Sequence, residues 1–162
     1  STPQAQGRTT FPVRRWAAGP GAPLRCCTPT ERTSVPATFN HTIIAARDRA
    51  ESARFFVDII EAREAPSWGP FTNLQLDGGV LIQFPDLPVE AFPEIQNQHY
   101  ALLVDDALFD RAYGRLCERG IEHWADPQMQ RPGETNTGHG GRGVYFRDPA
   151  GHYIEIITAP YV

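Results

Sequence analysis

His41, His99 and Glu155 stand 58 and 56 residues apart in a chain of 162 residues. Imidazole and carboxylate suit divalent Fe, Mn, Zn, Ni or Co. Two His and one carboxylate leave coordination positions open for a substrate, as in non-heme Fe(II) sites. Spacings this long carry no weight by themselves. Their value comes from a repeat that places both histidines at matching points. A glutamate inside the apolar run Tyr153–Thr158 also calls for a cation, because a buried carboxylate without a partner is costly.

The repeat positions these residues. Phe39-Asn40-His41-Thr42-Ile43-Ile44-Ala45-Ala46-Arg47-Asp48 parallels Asn97-Gln98-His99-Tyr100-Ala101-Leu102-Leu103-Val104-Asp105-Asp106. Each is a polar residue, His, a strand-length apolar run and an Asp suited to capping a helix. Helix-period segments follow, with Ala53, Phe56, Ile59 and Ile60 on one face of the first and Phe109, Ala112, Tyr113 and Leu116 on one face of the second, which Gly120 stops. Three strands come after each helix: Glu61–Trp68, Phe71–Asp77 and Val80–Phe84, then Ile121–Ala125, Gly143–Arg147 and Tyr153–Thr158. The expected fold is α+β, a βαβββ unit used twice: module one about 39–86, module two about 97–159, within a domain 39–162.

Strand alternation sets the faces. His41 lies with Phe39 and Ile43, His99 with Ala101 and Leu103, and Glu155 with Tyr153 and Ile157. The opposite faces are apolar and suited to helices, so His41, His99 and Glu155 are expected to share a concavity. Gly79 matches Gly151 at an offset of 72, which sets Gln83 opposite Glu155 as a hydrogen-bond donor to substrate. Tyr145 points into the same cavity by parity. Trp124 and Tyr153 read as packing residues, His123 as rim or core, and His152 as a residue that orients a turn.

The doubled module, the paired histidines and Val144-Tyr145-Phe146-Arg147-Asp148-Pro149-Ala150-Gly151-His152-Tyr153-Ile154-Glu155 resemble the vicinal oxygen chelate superfamily of glyoxalases, extradiol dioxygenases, fosfomycin-resistance transferases and bleomycin-binding proteins. The resemblance covers about residues 39–159. It implies His41, His99 and Glu155 as ligands of a divalent ion (Fe²⁺ favoured; Mn²⁺, Zn²⁺, Ni²⁺ or Co²⁺ as alternatives), and paired modules forming a cupped mixed sheet around the metal cavity. Extradiol enzymes carry a His and then a Tyr upstream of the ligand Glu, and His139 and Tyr145 occupy that region. This branch leads. Tyr145 would bond the oxyanion and His139 shuttle a proton. A glyoxalase-like lyase or isomerase comes next. A bleomycin-type binding protein is the non-catalytic alternative; its cationic ligand would suit the acidic body, but the intact ligand triad argues against it. The loop between Asp126 and Gly143 is glycine-rich, with five glycines from Gly133 to Gly143 inclusive, and reads equally as a lid or a plain connection. Arg142, like Arg131, is a candidate cation for substrate.

Composition narrows the rest. All 15 basic residues are Arg, which excludes lysine Schiff-base and phosphate-loop chemistry. Three Cys, two of them the adjacent Cys26 and Cys27, make neither a disulfide framework nor a zinc knuckle. Net charge −4 gives no global basic surface for nucleic acid, and no apolar run suggests a membrane span. Residues 1–38 carry five Arg against one Glu, are rich in Pro, Ser and Thr, and show no period. They read as a flexible extension dispensable for folding. No apolar stretch follows Arg14-Arg15, so a cleaved signal is not expected and the cytoplasm is the default location. A small-molecule substrate and a homodimer complete the expectation, the modules pairing within one chain or between two.

Overall fold

Asp48 and Asp105 start the two helices. Asp48 accepts from the N–H groups of Ala50 and Glu51, and Asp105 from that of Leu108, supplying partners that the first helical turn lacks. The structure, a computed structural model, describes residues 37–86 and 94–161. Residues 1–36, with most of the Arg-bearing extension, lie outside the described residues. In order the elements are β1 (His41–Ile43), α1 (Arg49–Ile60), β2 (Arg63–Ala65), β3 (Phe71–Gln75) and β4 (Leu81–Pro85), then β5 (His99–Leu103), α2 (Asp106–Glu118), β6 (His123–Trp124), β7 (Gly143–Arg147) and β8 (Tyr153–Ile157). This is the expected βαβββ unit twice. Strand β2 is shorter than expected because Glu61 and Ala62 finish α1 and Pro66 has no N–H to pair.

The strands form two four-stranded mixed sheets in one chain, β1-β4-β3-β2 and β5-β8-β7-β6. In each, the first strand runs parallel to the last and the other pairs are antiparallel. The helix-facing sides share one core. Phe56 meets Phe84 at 5.4 Å between ring centroids, and Phe55 reaches across to Phe146 at 6.1 Å. The buried His152 ties the modules: Nδ1 accepts from the N–H of Gln98 (3.0 Å) and Nε2 donates to the Ala45 carbonyl (2.8 Å). Because β1 and β5 are sheet edges, their outer faces are open, with Ile43 51% and Leu103 61% exposed. Among the described residues no helix is long and apolar enough to cross a membrane.

The helices also join through charge. Helix α2 ends in Gly120 at φ 62°, whereas α1 ends in Glu61 at φ 57°, a conformation that costs an L-residue roughly 1 kcal/mol. The Glu61 carboxylate accepts from Arg111 at 2.7 and 2.8 Å and from Arg115 at 2.6 Å, both on α2. Those two guanidinium groups hold it well below the ordinary carboxylate value of 4.5, down to about 2. A carboxylate depressed in the folded state stabilises fully above its unfolded value and less as it becomes protonated. Thermal melts between pH 6 and pH 2 should therefore show wild-type stability falling as pH drops from about 4.5 toward 2. Glu61→Gln should remove that part of the slope; an unchanged slope would show that the clamp contributes nothing.

Candidate metal and substrate site

Module two assembles two of the three expected ligands. The register pairs Ala101 with Glu155 and Tyr145 with Glu155, so the three stand in one row across β5, β8 and β7. His99 lies on the same face, opposite Tyr153. Glu155 is 1% exposed, and its Oε2 faces His99 Nε2 at 3.2 Å. Two ligands each about 2.1 Å from an ion, at 90–109° to one another, stand about 3.0–3.4 Å apart. The pair therefore fits an imidazole–carboxylate edge of a divalent-metal site.

His41 does not join this pair within one chain. Among the described residues, no three His, Cys, Asp or Glu side chains come together to hold an ion. The concavity expected to gather His41, His99 and Glu155 is thus not formed by a single copy, because the modules pack through their helices and leave β1 and β5 at separate sheet edges. His41 is exposed on β1, with Nδ1 at 2.8 Å from Asn40 Oδ1. A carbonyl oxygen only accepts, so this bond puts the proton on Nδ1 and leaves the Nε2 lone pair for a ligand bond.

Gln83 lies where the offset of 72 places it: it pairs with Ile43 in module one as Glu155 pairs with Ala101 in module two. Asn73 likewise takes the position of Tyr145. The buried Gln83 amide donates to Asn73 Oδ1 at 3.0 Å. Arg142, expected at the substrate, is turned to α2 instead. It bonds Asp106 Oδ1 at 2.7 Å and Asp110 Oδ1 at 2.5 Å and lies over the Phe109 ring. Two carboxylates one helical turn apart draw it there. His123 is buried, with Nδ1 at 2.8 Å from the Ile121 carbonyl.

His139 and Tyr145 do meet at one cavity, of about 520 Å³, which Asn136, Arg131, Thr135 and Tyr161 also line. The loop that carries His139 is anchored. Asn136 pairs with Gly143 through both backbone groups and donates from Nδ2 to the Ala125 carbonyl. A Cβ at Gly143 would lie 2.9 Å from that Nδ2, so a larger residue would push the Asn136 amide out of its place.

Tyr161 is the residue that sequence reasoning missed. Its hydroxyl donates to Glu155 Oε1 at 2.5 Å and lies 3.4 Å from the Tyr145 hydroxyl, and its ring meets that of His139 at 4.3 Å between centroids. It holds one carboxylate oxygen and leaves the other facing His99, the role of an outer partner that orients a ligand. The signal was present: Tyr161 continues the odd-numbered alternation of Glu155 and Ile157. Burial first, then the bonds to Glu155 and Tyr161, raise the Tyr145 phenol far above its ordinary value. It is a neutral donor at any working pH.

No protein-family model matches the chain. Among solved structures it is similar to the oxidase ChaP-H1, 49% identical, with 77% of this chain and 98% of that one covered at a TM-score of 0.71. A glyoxalase/dioxygenase from Nostoc punctiforme is 28% identical, with coverage of 79% and 98% and a TM-score of 0.56. Metallothiol transferase FosB from Shouchella clausii (strain KSM-K16) is 37% identical over 60 residues, and the match spans 37% of this chain and 37% of that protein.

Proposed function

The chain belongs to the vicinal oxygen chelate superfamily, and from that premise we propose that it is a divalent-metal-dependent oxidative enzyme, of the extradiol ring-cleaving type, acting on a small substrate with adjacent oxygens. The observation that carries the reading is the buried Glu155 carboxylate set 3.2 Å from His99 beside a cavity lined by Tyr145 and His139. The oxidase name of a relative matched over almost its whole length favours the oxidative branch.

His99 and Glu155 would hold the ion, with His41 supplied by a second copy. When bound, a divalent ion supplies Lewis acidity toward two adjacent oxygens and, as Fe²⁺, redox chemistry with O₂. Tyr161 keeps Glu155 Oε1 occupied, so Oε2 is the oxygen offered. Tyr145 donates its phenol hydrogen to a substrate oxygen as negative charge grows there. His139 lies on the same cavity wall, where a ring nitrogen can take the substrate hydroxyl proton and return it. Gln83, on the face of module one that carries His41, is the amide donor that the second copy would bring. The homodimer reading rests on the open edge strands: Ile43, Leu103 and Phe39 are large apolar side chains left in water that a second copy would cover.

The test is oxygen uptake by Fe²⁺-loaded protein with a panel of catechols. Uptake that tracks ring opening supports the proposal. No uptake, together with turnover of a thiol hemiacetal or an epoxide, would replace it with the lyase or thiol-transferase reading that the FosB match favours.

A further inference from the structure

The geometry points to an oxyanion subsite at Arg147, so that the substrate carries a carboxylate or another oxyanion beyond its adjacent oxygens. The inference deepens the proposed function and rests on that reading for the location of the oxygens. On the face that holds Glu155, one row across the second sheet is Trp124, Tyr145, Glu155 and Ala101, and the next is Arg147, Tyr153 and His99. Arg147 is therefore the diagonal neighbour of Glu155, about 7–8 Å away between backbones. It stands two strands from His99, about 10 Å.

The Arg147 guanidinium is held in place without being neutralised. It lies over the Tyr153 ring at 4.9 Å. Its Nη2 donates to the Tyr153 hydroxyl at 2.9 Å and to Met129 Sδ at 3.4 Å. Met129 reaches that position from a left-handed conformation, φ 59°. Of the nine other described arginines, Arg49, Arg111, Arg115, Arg119, Arg131 and Arg142 each pair with a carboxylate, while Arg47, Arg54 and Arg63 do not. Among the described residues Arg147 pairs with none, and its Nη1 and Nε hydrogens have no acceptor. A side chain fixed by an aromatic face and two uncharged acceptors loses little freedom when an oxyanion arrives, and planar oxyanions suit guanidinium. Tyr153, a packing residue by sequence, becomes the support that holds the guanidinium beside the site. An aromatic acid spanning the two ends would set vicinal oxygens at His99 and Glu155 and its acid group at Arg147.

Four probes separate the two ends: 3,4-dihydroxybenzoate and 3,4-dihydroxybenzyl alcohol, and the dimethyl ethers of both. Their affinities for metal-loaded wild-type protein and for Arg147→Gln are read by calorimetry. We expect each acid to bind wild type roughly tenfold more tightly than its alcohol, and Arg147→Gln to lose that preference while binding the alcohols as before. Equal binding of acids and alcohols to wild type, or an acid preference that survives in Arg147→Gln, would overturn the subsite. Loss of the preference for free hydroxyls over methyl ethers would count against chelation alone. The acid preference would still report on Arg147.

Discussion

Tyr145→Phe is expected to lower kcat by roughly 10²–10³, the usual loss when one donor to a developing oxyanion is removed, and to leave the metal content unchanged. The phenol is buried beside Glu155 and kept protonated first by that burial and then by its neighbours. Its ring stacks on His99 at 6.0 Å, and phenylalanine retains that packing. The variant therefore subtracts a hydrogen bond and little else. Steady-state kinetics and elemental analysis of one preparation decide the matter. Full turnover would exclude Tyr145 from the chemistry. Lost metal would make it a support of the site rather than a donor to substrate.

Much of this arrangement was legible because the repeat constrains it twice. The matched His-strand-Asp runs gave both helix starts, and the offset between Gly79 and Gly151 gave the equivalence of Gln83 and Glu155 that the register shows. Alternation gave the common face of Tyr145 and Glu155. Sequence periodicity did not give the relation between modules. Parity says which side of its own sheet a residue faces and nothing about which sheet lies opposite, so it left open whether the modules pair within one chain or between two; among the described residues of one chain, His41 does not join the pair on module two. Arg142 was misplaced for a similar reason. Its partners Asp106 and Asp110 lie on α2, more than 30 residues away, and only packing brings them together. Tyr161 escaped notice because it lies past the last strand, where alternation is no longer enforced by a sheet.

Separation of His41 from the pair on module two leads to the most discriminating result. His41→Ala and Glu155→Ala are each expected to lose metal and activity as pure proteins. Mixed in equal amounts, unfolded and refolded together, they should regain about a quarter of wild-type sites, as random pairing in a two-fold dimer dictates. Half of the dimers would then contain one chain of each kind. In such a dimer, one site takes His41 from the Glu155→Ala chain and both His99 and Glu155 from the His41→Ala chain, so it is intact. The other site lacks both residues. Metal content and turnover should rise together in the mixture, and neither should rise when either variant is refolded alone. If each chain builds its site from its own modules, every site in the mixture keeps its defect and nothing is regained. The open β1 and β5 edges favour the shared site: they expose Ile43 and Leu103 on the strands that carry His41 and His99. A second copy laid along those edges covers these apolar side chains and brings an imidazole to the Glu155 carboxylate in the same step.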